Sequence, residues 1–271
     1  MPKQEFICPM PRPEHEMPIF VINLKQSVHR REAVQRDADR LGLHLSFVDA
    51  VDGRKTNDLS SLGYSLRANR DEYGRLLTAG EVGCYASHLK VARMFLSLPN
   101  SYAIVLEDDA KLDIGFADFY NNAPSILQNV GRDIALINLC NVAVSNKRSD
   151  SVFEIKSGSI SLHETFEFPT VARGILWSKS GANHFIDKGK VIAKPVDHFF
   201  KDWLTRNEGG YCLRRPVVES HGFSSDIGSG TSRRELSFSE GLRYDYARAK
   251  RDFINDYFIF KRRFLAKMKE H

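Results

Sequence analysis

Apolar residues in this chain come in short unbroken runs separated by stretches of helical period. The first run, Ile19-Phe20-Val21-Ile22-Asn23-Leu24, predicts a strand buried on both faces. Ser27 as N-cap and Gly42 as terminator frame a helix after it, and residues 43–51 predict a second strand that ends in an Asp52-Gly53 turn. Strand, helix and strand in that order open a βαβ unit. Residues 57–77 are polar and contain glycine, so a loop or small excursion is expected there. Thr78-Ala79-Gly80-Glu81 has the spacing of a capping box and predicts a helix that runs to Leu98, before Pro99-Asn100. Residues 102–106 and 133–140 predict buried strands. Shorter strands are expected at 151–155, 159–162 and 171–178, helices at 179–187 and 196–206, and a last strand at 211–218. Residues 223–239, rich in Ser and Gly, predict a loop.

At 271 residues and 42% hydrophobic content, the chain suits one large α/β domain. The expected division is an N-terminal extension (1–17), a catalytic domain (18–240) and a C-terminal helix (241–271). No apolar stretch approaches the ~20 residues of a membrane span, and the N-terminus lacks the apolar core of a secretory signal. Cys8, Cys84, Cys140 and Cys212 are scattered without CxxC spacing, which argues against a zinc site or a disulfide framework and for a reduced, cytoplasmic protein. The net charge of +5 is concentrated at the end of the chain. From Arg243 onward, nine Lys or Arg stand against four Asp or Glu. Tyr246, Ala249, Phe253, Tyr257, Phe260, Phe264 and Met268 recur there at helical spacing, widened by Ile254, Phe258 and Leu265. Such a helix packs its stripe on the domain, lies on an anionic membrane surface, or does both, with its proximal half packed and Lys261-Arg262-Arg263, Lys267 and Lys269 toward lipid.

The candidate chemistry lies at Ala103-Ile104-Val105-Leu106-Glu107-Asp108-Asp109. A buried strand that stops on three carboxylates sets them at the carboxyl edge of a sheet, where open α/β folds hold ligands. Adjacent acids repel one another, and a hard divalent ion between them relieves that repulsion. Taken alone, the same acids are equally suited to ending a strand or capping a helix.

Three blocks in this order resemble glycosyltransferase family 25, which contains bacterial lipooligosaccharide galactosyltransferases and collagen-modifying transferases. The first is Ile19 to Leu24 with Arg30-Arg31 and Ala50-Val51-Asp52-Gly53. The second is Leu77-Thr78-Ala79-Gly80-Glu81-Val82-Gly83-Cys84-Tyr85-Ala86-Ser87-His88, and the third is the acidic run. Pro195-Val196-Asp197 and Ser225-Asp226-Ile227 resemble later blocks. The chain departs from the family pattern before Ser178-Lys179-Ser180-Gly181-Ala182, with Val171 and Ile175 where Gly and Tyr are usual. The resemblance implies a GT-A-like fold (a mixed sheet flanked by helices), a UDP-sugar donor with Mn²⁺ or Mg²⁺, and inversion at the anomeric carbon, most often giving β-galactose. It implies a glycolipid or oligosaccharide acceptor, and with the basic tail an enzyme at the inner face of a bacterial inner membrane. UDP-glucose and UDP-N-acetylglucosamine stay open as donors.

Within that expectation, Asp109 and Glu107 are metal ligands, with His221 completing the shell, and Asp108 holds sugar or ribose hydroxyls. Asp197, at the start of a helix, is the first candidate for the base that deprotonates the acceptor; Asp226 and Glu219 follow. Asn23 and Leu24 end the first strand at the nucleotide edge, and Arg30, Asp52, Ser87 and His88 are the remaining donor-side candidates. Asp52 serves equally as a turn former, Arg30 as a solvated helix residue, His88 as a core histidine and Glu81 as a capping residue. The chain has no G-x-G-x-x-G, Walker A or HExxH pattern. A metal-dependent nuclease or phosphoesterase and a non-catalytic partner-binding domain are the readings from other classes. The first would require salt-sensitive nucleic-acid binding and leaves the Gly-containing blocks unexplained.

Overall fold

A computed structural model describes residues 16–140, 151–157, 160–223 and 236–269. Strand β1 (Ile19–Asn23) is buried throughout and pairs in parallel with β2 (Leu45–Asp49) and β3 (Tyr102–Glu107). Helix α1 (Val28–Leu41) makes the crossover and stops at Gly42, whose φ of 67° is a left-handed conformation that glycine adopts at little cost. Beyond β3 the sheet turns mixed. Its order is β2-β1-β3-β8-β5-β9-β7-β6, with β5 (Leu136–Asn138), β6 (Ser151–Ser157), β7 (Ile160–Thr165), β8 (Gly174–Ser178) and β9 (Gly210–Leu213). A separate antiparallel pair joins β4 (Ala110–Leu112) to β10 (Val218–Ser220).

The unbroken apolar runs follow from burial on two faces. In β3, Ala103 and Val105 pack on one side with Tyr85, Phe95, Trp177, Phe185 and Phe200, while Ile104 and Leu106 pack on the other with Val34, Phe116, Phe119 and Ile126. Helices α3 (Ala79–Leu96), α5 (Lys179–Lys188) and α6 (Val196–Arg206) cover the first side, α1 and α4 (Ile114–Asn129) the second. This is the mixed sheet flanked by helices that the pattern and the resemblance led us to expect.

Three expectations need correction. Residues 57–77 are not a plain loop: they hold a 3₁₀ turn at Leu59–Leu62 and helix α2 (Leu66–Glu72), started by Asp58 and Ser65, whose side chains accept backbone N–H bonds. The run at 211–218 is interrupted at Arg214-Arg215-Pro216 and divides into β9 and β10, which serve different sheets. The third concerns α7 (Phe238–Lys269). It lies on the domain, but not by its aromatic stripe. Ala247, Arg251, Asn255 and Ile259 are buried, while Tyr246, Phe253, Tyr257, Phe260, Phe264 and Met268 face outward. Arg251 donates to the carbonyls of Glu72 and Tyr73, Asn255 to Asp202 (2.9 Å), and Arg262 to Glu164 (2.9 Å). Arg262, expected to face lipid, therefore points into the protein. Among the described residues no helix is long and apolar enough to cross a membrane.

Candidate active site

The acidic run ends β3 and turns directly into β4, so its three side chains fan out toward different elements. Glu107 points to α3, where His88 Nε2 lies 3.3 Å from Oε1 and the Cys84 thiol donates to the same oxygen. Asp108 points to α1. Arg30 donates to its Oδ1 and Asn23 to its Oδ2, both at 2.8 Å. Asp109 accepts from Arg173 Nε at 2.8 Å and from Ser220 at 3.3 Å, and its carbonyl accepts the His221 N–H. Repulsion among the acids is thus relieved partly by three separate basic side chains rather than at one point.

These contacts tune the carboxyls differently. Burial alone would raise Glu107, but the hydrogen bond and charge of His88, with the Arg173 charge and the Cys84 bond, hold it below the ordinary range. Burial raises Asp108 and is only partly offset by Arg30 and Asn23. Burial also pushes the Cys84 thiol well up, with the Glu107 charge adding to it.

Two clefts meet here. The first, about 360 Å³, lies off the carboxyl ends of β1 and β3 and is walled by Leu24, Arg30, Asp52, Ser87, Asp108 and Asp109, with Phe223 at its rim. The second, about 390 Å³, is walled by Tyr73, Glu81, Thr170, Asp197 and His198. Cys84, Glu107 and Arg173 belong to both and form the partition. Asp197 is raised to about 7, by burial first and then by the negative charges of Glu107 and Glu81, against a bond from the His198 N–H. Its neighbour His198 is lowered to about 4 by burial, with the Arg251 charge adding to it.

The floor of the first cleft explains why two glycine-containing blocks occur together. Loop 50–53 lies against the start of α3: Val51 N–H donates to Ser87 Oγ at 2.8 Å, and Ser87 donates to the Gly83 carbonyl at 2.7 Å. A Cβ on Gly83 would stand 2.4 Å from the Val51 oxygen, and one on Gly53 2.0 Å from the Ala79 oxygen. Only glycines permit that approach. Thr78 and Glu81 complete the capping box, and Glu81 is further paired with Arg75 at 2.9 Å.

Of the residues singled out in the sequence, Leu24, Arg30, Asp52, Ser87, Glu107, Asp108 and Asp109 line the first cleft, and Asn23 lies just behind through Asp108. Asp52 also caps the 3₁₀ turn at Gly53–Lys55, and Arg54 and Gln26 hold it at about 2. His88 is fully buried behind Glu107. Asp197 lines the second cleft rather than the first. The His221 ring bonds Asp37 at 3.0 Å and stacks on Phe223, so it is turned away from Asp109. Glu219 is on β10, exposed and paired with Lys111. Asp226 lies outside the described residues. The sequence reading missed Arg173, which stands one residue before β8 and carries no local signal.

A divalent cation is compatible with this donor set. Asp109 Oδ1 is buried without a hydrogen bond, leaving one carboxylate oxygen unsatisfied in a residue that lines the first cleft. Among the described residues, Cys84, His88 and Glu107 also bring three donor atoms within 4.8 Å of one another. With its raised thiol and an imidazole, that group suits a softer ion less readily than it suits mutual hydrogen bonding.

A glycosyltransferase 25 family member of Drosophila melanogaster is 30% identical over 183 residues, covering 66% of this chain and 28% of that protein. Procollagen galactosyltransferase 1-A of Xenopus laevis is 36% identical over 102 residues, 36% of this chain and 17% of its own length. A probable inactive glycosyltransferase 25 family member 3 of Bos taurus is 35% identical over 102 residues, again 36% and 17%. The chain therefore spans less than a third of each of these relatives. The sequence model of glycosyltransferase family 25, described as an LPS biosynthesis protein, matches residues 16–200. With strand, capping box and acidic turn all inside that match, the chain belongs to glycosyltransferase family 25.

Proposed function

We propose that this chain is an inverting glycosyltransferase that moves a sugar, galactose from UDP-galactose in the first instance, onto a hydroxyl of a lipooligosaccharide or lipopolysaccharide acceptor. The observation that carries the reading is the pair of clefts sharing one partition of Glu107 and Arg173. A transferase needs a donor chamber and an acceptor chamber that meet at the bond being exchanged. A GT-A fold accords with the open sheet and the acids at its edge. The family description as an LPS biosynthesis protein supports the glycolipid acceptor, and the galactosyltransferase names of several relatives support the donor.

In this scheme the nucleotide occupies the first cleft, over Leu24, Asp52 and Ser87. Arg30 and Asp108 hold each other at the floor and keep that cleft in shape. Asp109 and Glu107 would hold Mn²⁺ or Mg²⁺, which when bound supplies Lewis-acid stabilisation of the diphosphate leaving group. Arg173, fixed by Asp109, adds a second positive charge where the leaving group develops negative charge. Asp197, across the partition, takes the proton from the acceptor hydroxyl. Its raised pKa near neutrality suits a group that must bind that proton yet be ionised beforehand. The donor sugar bond to the nucleotide breaks as the bond to the acceptor oxygen forms on the opposite side, which is inversion.

The test is UDP release from UDP-galactose, UDP-glucose and UDP-N-acetylglucosamine, each offered with a truncated lipooligosaccharide or with a collagen-type peptide. Release above hydrolysis with UDP-galactose and the glycolipid is the expected result. Release with the peptide alone would replace the acceptor, and no acceptor-dependent release with any donor would overturn the reading.

A further inference from the structure

The outward face of α7 has an order that its inward face does not explain. Phe238, Leu242 and Tyr246 are followed eleven residues later by Ala249, Phe253 and Tyr257, and eleven later again by Phe260, Phe264 and Met268. An eleven-residue repeat corresponds to about 3.67 residues per turn, so the stripe holds one face along the whole helix. Its large members are exposed by between 53% (Leu242) and 83% (Phe238), with Phe253 at 76% and Phe260 at 70%. Aromatic side chains carry about 150–250 Å² each, so this stripe offers on the order of 800 Å², one partner's share of a standard protein interface. Isolated exposed apolar residues need no explanation, but a continuous band of this size does.

The edges of the stripe indicate what covers it. At about 100° per residue, Arg243, Lys250 and Lys261 fall within about 20° of one another along one border, and Asp245, Asp252 and Asp256 line the other over the first two repeats. All six are exposed, and Asp252 also approaches Arg248 along the helix at 3.7 Å. In the third repeat Arg263 and Lys267 stand where Asp252 and Asp256 stand in the second, so an anionic membrane surface would meet an acidic border along the first two repeats, which it repels. A second copy in parallel orientation meets the opposite sign on each side. The basic border of one helix faces the acidic border of its partner along both sides of the seam. Antiparallel pairing would set Lys against Lys and Asp against Asp.

We infer that the outward face of α7 is a homodimer surface on which two copies pair in parallel about a two-fold axis, burying the Leu242 to Met268 stripe. The inward face stays on α2 and α6, so the two catalytic bodies project to opposite sides of the helix pair. Because α6 begins at the Asp197 turn, pairing braces the helix that walls the second cleft.

Sedimentation equilibrium of the full chain over the micromolar range tests this. The wild type is expected to dimerise, and Phe253→Glu with Phe260→Glu is expected to be monomeric with unchanged circular dichroism. Asp256→Lys or Lys261→Asp alone should weaken dimerisation about tenfold, since each replaces an attraction with a repulsion at both symmetric edges. The two together should restore it, and these exposed positions keep the test valid if the aromatic variants fail to fold. A monomeric wild type, a dimer indifferent to the Phe changes, or no recovery in the double charge exchange would overturn the inference. A monomer that floats with phosphatidylglycerol vesicles, and loses this with Phe253→Glu and Phe260→Glu, would assign the stripe to a membrane surface instead.

Discussion

Glu107 and Asp197 face the same partition yet are tuned in opposite directions. His88 and Arg173 hold Glu107 ionised, while burial beside two other acids pushes Asp197 to about 7. Carboxyls driven apart in this way are suited to different tasks, one to bind cations and one to move a proton. If Asp197 is the base, turnover at saturating donor should rise with pH through about 7 and then level off. Asp197→Asn should remove turnover by at least about a hundredfold while leaving UDP affinity intact. The same residue makes a stability prediction. Its folded pKa lies above its ordinary 3.8, so the stabilisation is present below that value and is lost as pH rises through about 7, at up to about 1.4 kcal/mol per pH unit. Asp197→Asn should therefore melt higher than wild type at pH 8 and no higher at pH 4, measured by calorimetry. Arg173 acts on the other side. Arg173→Ala should weaken UDP binding by about 10–100-fold, the scale of one lost charge-assisted hydrogen bond, in a titration with the cation present. The acids were legible in the sequence because an apolar strand ends on them. Arg173 was not, because it lies 64 positions from Asp109 and only the antiparallel pairing of β8 with β3 brings the two together.

Elements carry their own signals with unequal clarity. The capping box at Thr78 is read locally, since its two bonds join residues three apart. The close approach of loop 50–53 to α3 is not local, although the glycines that permit it are visible. Alanine inside a helix normally stabilises by about 1 kcal/mol relative to glycine. Gly83→Ala should instead cost about 1–3 kcal/mol, because the new methyl meets the Val51 carbonyl. A shift in the denaturation midpoint would check this, and a more stable variant would contradict it. The helical period of α7 was legible, but periodicity defines a face without saying which way it points. The direction is set by Asp202 and Glu164, buried acids on α6 and β7 that draw Asn255 and Arg262 inward. Arg262→Ala leaves Glu164 buried with the half-exposed Arg132 and the Gly209 N–H, each at 3.4 Å, and should cost about 3 kcal/mol in thermal unfolding. Helix α4 and the division of β9 from β10 were missed for a related reason. Gly115, Asn121, Asn122 and Pro124 weaken the pattern of α4, and the strand runs say nothing of which sheet receives them.

At the scale of the molecule, one mixed sheet places two chambers against a common wall, and the family relationship rests on residues 16–200, which include that wall. Membership alone does not supply activity, since one relative of comparable similarity is named as inactive. What argues for activity in this chain is the chemistry at the partition: Asp109 with one unsatisfied oxygen, Arg173 beside it, and Asp197 poised near neutrality across from both. The proposed function requires the first cleft to bind a nucleoside diphosphate through a cation held by Asp109. Calorimetric titration of UDP with and without Mn²⁺, into wild type and Asp109→Ala and with GDP as control, tests it most directly. Mn²⁺-dependent binding of UDP over GDP, lost in Asp109→Ala, is the expected result. Absence of UDP binding in the presence of Mn²⁺, or equal binding by Asp109→Ala, would contradict it.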